Sequence, residues 1–290
     1  MLAFTWVALR FIHFTTLMLV FGCALYGAWL APVSLRRLMM RRFLHLQRHA
    51  AAWSFISAML MLAVQGGLMG AGWQDVLSIT VWGAVLQTQF GGVWLWQIIL
   101  ALVTLAVTII VPRSMPRRLL MLTIAQFILL AGVGHATLHD GVTGTFHQIN
   151  HALHLICAAA WFGGLLPVLY CMRMAQGRWR DQAISTMMRF SRYGHFFVIG
   201  VVLTGIMNAL FIVGFSVPWH AAYGRLLLLK CGLVMLMVAI ALANRYVLVP
   251  RMQQDNRCMT LYFIWMTKLE WGIGAVVLAI VSLFATLEPF

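Results

Sequence analysis

Histidines are concentrated in the middle of this sequence. Five of the ten fall within twenty consecutive residues: His135, His139, His147, His151 and His154. The last three are separated by four and then three residues, which places them on one face of an α-helix. Imidazole is a common ligand for copper, zinc, iron and nickel. This spacing predicts a transition-metal site in which one helical face carries several ligands.

Methionine offers a second type of metal ligand. The chain contains 19 methionines, and thioether sulfur selects the softer Cu(I) ion. Met18 and Met69 are the candidates nearest to the histidines in the arrangement predicted below. Methionine is also a common packing residue in apolar helices, so each candidate is weak when taken alone.

The composition excludes a water-soluble domain. Apolar residues make up 63% of the chain, charged residues only 9%, and the mean hydropathy is +0.92. These values are typical of an integral membrane protein. The net charge of +14 is spread between long apolar runs, so we expect no nucleic-acid partner. We also find no hydrolase triad, P-loop or dinucleotide fingerprint, and the sequence predicts no enzyme.

The apolar runs predict an all-α bundle of eight transmembrane helices in one integral-membrane domain, residues 1–290. A spanning helix needs about 20 mostly apolar residues. Breaks at charged, glycine-rich or proline-rich positions delimit eight such segments. They are 4–31, 47–69, 93–111, 118–136, 147–171, 190–213, 225–249 and 263–286.

The arginines predict the orientation of these spans. Fifteen arginines lie in alternate connections, at residues 34–49, 112–118, 173–192 and 250–259. The other connections, 71–92, 137–146 and 214–224, contain neither lysine nor arginine. Because positively charged connections stay in the cytoplasm, both termini and the histidine-rich stretch are predicted to be periplasmic.

This orientation brings imidazoles from three spans to the outer third of the membrane. His13 lies on the first span, on the same face as Arg10, and His135 ends the fourth. His151 and His154 descend along the fifth span, at about 1.5 Å per residue. We therefore expect a shared metal site, with His139 and His147 at its outer rim.

Ionisable groups within the spans are candidates for function because they are costly in lipid. They include Arg10, Lys230 and Glu270. By its depth, Glu270 is expected to contact Arg245 or Asn244 rather than Lys230. Such a group either fixes the packing of helices or takes part in moving an ion or a proton.

The chain resembles a known family, the copper-resistance protein D (CopD) family of bacterial inner-membrane proteins. The resemblance covers essentially the whole sequence and is strongest at the block from His154 to Trp-Phe-Gly-Gly. It is carried by LRFIHF, LQTQFGGVWLWQ, GVGHA, HALHLICAAAWFGGLLPV, GRLLLLK and LEWGIGAVVLAI.

The resemblance implies a multi-pass inner-membrane protein that handles copper, in transport or in copper tolerance. It implies a small periplasmic copper-binding protein as a partner. It also favours His13, His135 and His154 as core site positions, with His151 next.

Two alternatives remain open from the sequence. Histidines inside an apolar bundle also suit a haem b bound by two imidazoles, in an electron-transfer protein. The second alternative is a scaffold that docks a periplasmic partner and uses its histidines only as polar rim residues.

Overall fold

The computed structural model describes residues 1–110, 116–134, 138–215, 220–252, 257–284 and 286–287. Throughout these residues the regular structure is helical, without a β-strand. Two π-helical segments, Tyr26–Leu30 and Asn244–Leu248, directly follow the first and the eighth α-helix. The α-helices are α1 (Leu2–Leu25), α2 (Val33–Met69), α3 (Ile79–Leu86), α4 (Gln89–Ile110), α5 (Pro116–Ala131), α6 (Gly141–Met174), α7 (Arg180–Val213), α8 (Ala222–Ala243), α9 (Val249–Met252) and α10 (Arg257–Phe284).

Seven helical segments in the described part of the chain are long and apolar enough to cross a membrane. They coincide with seven of the predicted spans, and the predicted all-α membrane bundle is confirmed. Their bounds are Leu2–Leu30, Val33–Met69, Gln89–Ile110, Gly141–Met174, Arg180–Val213, Ala222–Arg251 and Cys258–Phe284.

The remaining predicted span, 118–136, coincides with α5, which has 16 residues. Pro116 begins this helix, at a position where a proline costs no backbone hydrogen bond. A helix of this length measures about 24 Å, less than the hydrocarbon core of about 30 Å. The count of eight spans and the periplasmic location of both termini therefore stay predictions.

Two helices begin well before the apolar segment that predicted them. Helix α2 begins at Val33 rather than near residue 47, and α7 begins at Arg180 rather than near residue 190. Both extensions contain several arginines and methionines, which favour helix, and the extension of α2 also contains four leucines. The apolar pattern therefore identified only the part of each helix that suits lipid. The residues before that part are also helical because of their high helix propensity.

Helix α1 packs against α2, α5, α6 and α10. It crosses α6 where Gly22 faces Gly163. A Cβ atom added to Gly22 would lie 2.1 Å from the carbonyl carbon and oxygen of Gly163. A Cβ atom added to Gly163 would lie 2.1 Å from the carbonyl oxygen of Met18. Only glycine permits this approach, and such small residues are typical of tight helix contacts in membranes.

Pro167 lies inside α6, one turn after this crossing. A proline has no backbone N–H, so it cannot donate to the carbonyl four residues earlier, which is that of Gly163. The same carbonyl oxygen faces Gly22 of α1. It is therefore available for a Cα–H···O contact between the two helices.

Helices α7 and α8 are consecutive but pack on different neighbours. Helix α7 packs on α6, whereas α8 packs on α10. A cavity of about 1260 Å³ separates them, lined by residues of α6, α7, α8 and α10.

Candidate functional site

His13 lies in a buried polar group that joins α1, α2 and α4. Its Nδ1 atom is 3.0 Å from the backbone oxygen of Ser54 and 3.1 Å from the hydroxyl of Ser57. Its Nε2 atom is 3.0 Å from Nε2 of Gln97. Because the Gln97 amide nitrogen can only donate, the ring accepts at Nε2 and donates from Nδ1.

This polar group continues into α5. The Gln97 amide nitrogen also lies 3.4 Å from Oε1 of Gln126, and Nε2 of Gln126 donates to the hydroxyl of Thr104 at 2.9 Å. Both ring nitrogens of His13 are thus engaged by protein groups. Metal binding by His13 would require one of these hydrogen bonds to break.

His154 contacts α7 through Thr204. The Thr204 hydroxyl donates to the carbonyl of Gly200 in the preceding turn. A hydroxyl has one hydrogen to donate, so Thr204 accepts from Nδ1 of His154, at 2.9 Å. With its proton on Nδ1, the neutral ring keeps the lone pair on Nε2, which is the atom that can bind a metal.

His151 lies one turn earlier and meets α7 at Asn208. The amide nitrogen of Asn208 is 3.3 Å from Nδ1 of His151, and its amide oxygen accepts from Nδ2 of Asn150 at 3.0 Å. The rings of His151 and His154 are nearly parallel, at 13°, with centroids 6.4 Å apart. The two predicted ligands are therefore neighbours on one face, each supported by α7.

His139 and His147 form a second histidine pair nearer the start of α6. Their ring centroids are 5.9 Å apart, and the His147 ring stacks on Phe211 of α7 at 4.8 Å. His147 is buried. His135, which was predicted as a core ligand, lies outside the described residues.

The candidate histidine ligands lie in three separate groups: His13, the pair His151 and His154, and the pair His139 and His147. Among the described residues, no three histidine, cysteine, aspartate or glutamate side chains are close enough to hold one metal ion. Met18 is buried at the crossing of α1 and α6, and Met69 is exposed at the end of α2.

The charged groups in the spans have different surroundings. The Arg10 guanidinium lies 5.4 Å from the ring centroid of Phe14, and the Lys230 ammonium lies 5.6 Å from that of Phe284. Glu270 is buried and meets Asn244, one of its two predicted contacts. Arg245, the other, donates to Ser191 of α7.

The polar residues that support the histidines were not predicted. Thr204 and Asn208 stand four residues apart in an apolar stretch of α7, and Asn150 lies between two of the α6 histidines. Polar residues in such stretches usually face the bundle interior, so their spacing was the available signal. Choosing their partners required knowledge that α7 packs on α6.

A bundle of long apolar helices with histidines along one helical face defines a multi-pass membrane protein with a candidate metal site. The family model for the N-terminal domain of copper resistance protein D-like proteins matches residues 1–145, and the model for copper resistance protein D matches residues 184–284. The chain belongs to the copper resistance protein D family.

Three curated proteins show the range of this similarity. The inner membrane protein YebZ of Escherichia coli K12 is 70% identical over 290 residues, all of both chains. Copper resistance protein D of Pseudomonas syringae pv. tomato is 30% identical, over 98% of this chain and 96% of that protein. Copper transport protein CutJ of Bacillus subtilis is 27% identical, over 76% of this chain and 42% of that protein.

No solved structure matches the chain. The family and the similarity to YebZ, together with the seven apolar helices, identify a multi-pass protein of the bacterial inner membrane.

Proposed function

We propose that this protein takes up copper from the periplasm and passes it into the membrane, with His154 and His151 as its principal ligands. The observation that carries the proposal is the hydrogen bond between His154 and Thr204, which orients the ring and leaves its Nε2 lone pair for copper. Partners that orient a ligating imidazole in this way strengthen metal sites.

Two further observations support copper as the cargo. Two of the similar proteins are named for copper resistance and copper transport. Imidazole is also a suitable copper ligand. In this proposal His139 and His147, with His135, receive copper at the rim, and a small periplasmic copper-binding protein delivers it.

The face of α6 that carries the histidines continues toward the cavity. Trp161 follows His154 by seven residues, which is two helical turns, and it lines the cavity together with Leu165, Val168 and Met172. This continuity favours an inward path for copper along α6.

Copper binding and uptake test the proposal directly. His154→Ala and His151→Ala should each lower copper affinity by about tenfold or more, because removing even a partner of a ligand costs 10–100-fold. Binding is measured by competition with a copper chelator, and uptake in cells grown with trace copper. His45→Ala is the matched control, since His45 is exposed on α2. Unchanged affinity and uptake in both variants would reject the two ligands.

The haem alternative is tested on the same preparation. It requires two imidazoles from different helices, whereas the adjacent pair His151 and His154 lies on one helix and His13 is engaged by hydrogen bonds. Protein purified from haem-replete cells without a Soret band would reject haem. A Soret band that is lost in a histidine variant would replace the copper proposal.

A further inference from the structure

The cavity between α7 and α8 ends at a buried carboxylic acid. Gln176 and Arg180 line the cavity near the arginine-rich connection that is predicted to be cytoplasmic. Glu270 of α10 and Trp161 of α6 line its inner part, each about 18–20 Å along its helix from an arginine predicted to be cytoplasmic, Arg257 and Arg173 respectively. The cavity thus leads from the predicted cytoplasmic face to Glu270.

Within the described residues, Glu270 has two neutral hydrogen-bond donors and no counter-charge. It is 2% exposed. Trp161 donates from Nε1 to Oε1 at 2.7 Å, and Asn244 donates from Nδ2 to Oε2 at 3.4 Å. Neither oxygen forms an ion pair with a lysine, arginine or histidine in the described part of the chain. A buried carboxylate without a paired cation is costly, and binding a proton removes that cost.

The side chain of Asn244 can form a hydrogen bond to Glu270 whether the carboxyl group is ionised or protonated. It is 6% exposed, and its Oδ1 atom has no hydrogen-bond donor among the described residues. An amide carries a donor and an acceptor side by side. It donates to the carboxylate as observed, and a half-turn of the amide presents Oδ1 to the hydroxyl of the carboxylic acid.

The backbone at Asn244 is also unusual. Asn244 begins the π-helical segment that joins α8 to α9. Single π-helical turns inside α-helices occur frequently at functional sites. Here the segment begins at the residue that contacts the acid.

We propose that Glu270 and Asn244 form a proton-binding site that exchanges protons with the cytoplasm through this cavity. Glu270 accepts the proton, and Asn244 changes from donor to acceptor as it does so. Trp161 donates to the other oxygen in both states. The proposal stands independently of copper, since none of its residues belongs to the histidine groups.

Other charged or titratable groups near this site are few. In the described lining of the cavity, α7 contributes Arg180 and His195, and the π-helical segment contributes Arg245. The guanidinium of Arg245 is held by Ser191, and His195 is held by Ser191 and Tyr246. From the neighbouring elements, α1 carries Cys23, the π-helical segment after it carries Tyr26, α6 carries Cys171, and α8 carries Lys230, whose ammonium lies over Phe284.

A carbodiimide tests the protonation of Glu270, because dicyclohexylcarbodiimide reacts with protonated carboxyl groups in apolar surroundings. Purified protein in lipid vesicles should gain one adduct that peptide mass spectrometry assigns to Glu270. Once the deprotonated form dominates, labelling should fall by about tenfold for each further pH unit. Glu270→Gln, which keeps the shape of the side chain, should abolish the adduct. Absence of the adduct at every pH would overturn the proposal.

The direction of access is tested by comparing membrane vesicles of opposite orientation. A water-soluble carbodiimide should label Glu270 faster in inside-out vesicles, whose cytoplasmic face is outward, than in right-side-out vesicles. Filling the cavity with Ala241→Trp should slow that labelling, since Ala241 lines it. Faster labelling in right-side-out vesicles would overturn access from the cytoplasm. Copper is absent from both experiments, so their outcome is separate from the copper proposal.

Discussion

The His154 ring is positioned by two residues of α7. Thr204 accepts the hydrogen bond from its Nδ1 atom. Gly205 leaves room for the ring, because a Cβ atom there would lie 3.3 Å from Cε1 of His154. The ligand therefore depends on residues that do not themselves bind metal.

Removing the Thr204 hydroxyl should weaken copper binding. Thr204→Val keeps the shape of the side chain but loses the acceptor for Nδ1, so the ring no longer has a fixed tautomer. We expect copper affinity to fall by about 10–100-fold, measured by chelator competition.

Thr186→Val is the control for this change. Thr186 lies on the same helix and is buried, but its hydroxyl donates only within α7, to the carbonyl of Gln182. An equal loss of affinity in both variants would show that Thr204 acts on the stability of α7 rather than on His154.

The sequence predicted the histidine face but not its surroundings. Spacing alone places His151 and His154 on one side of α6, and their neighbouring rings agree with it. Depth along the first span suggested that His13 would join them. Depth does not specify how α1 is rotated, and the His13 ring instead meets Ser54, Ser57 and Gln97.

At the scale of helices, the contact between α1 and α6 depends on Gly22 and Gly163. Lipid tails are as apolar as leucine, so helices in a membrane gain little by hiding apolar surface from lipid and associate through close packing instead. A side chain at either glycine would meet backbone atoms, which cannot move aside as a rotamer can.

Gly163→Ala should therefore destabilise the protein. The overlap of the added methyl group with the Met18 carbonyl should cost about 1–3 kcal/mol, as overpacking does elsewhere. The result is a lower midpoint of thermal unfolding in detergent, followed by tryptophan fluorescence. Gly272→Ala on α10 is the control, since its added Cβ would meet no atom within 4 Å. Equal midpoints for Gly163→Ala and the wild type would contradict the close crossing.

Helix positions were largely predictable from the sequence, whereas helix pairing was not. Apolar length located seven spans, because lipid demands an unbroken apolar helix. It gave no sign that consecutive helices α7 and α8 would pack on different neighbours. That separation creates the cavity, so the cavity could not be predicted either.

For the molecule as a whole, the arginines predict which side of the membrane each end occupies. The histidine-rich start of α6 and both termini should be periplasmic, because arginine-rich connections remain in the cytoplasm. Alkaline phosphatase fused after residue 290 should be active, and green fluorescent protein fused there should be dark. The same reporters fused after a truncation at residue 178 should give the opposite result. A fluorescent fusion at residue 290 would contradict the predicted orientation.

Pro167 lies between the histidine face of α6 and the end of the helix. The cavity wall extends across the proline, from Trp161 and Leu165 before it to Val168 and Met172 after it. Because the proline has already removed the hydrogen bond to the Gly163 carbonyl, α6 can bend at this turn without breaking one. A small bend at Pro167 would therefore change the angle between the segment that carries the histidines and the last turns of α6, and with it the shape of the cavity wall.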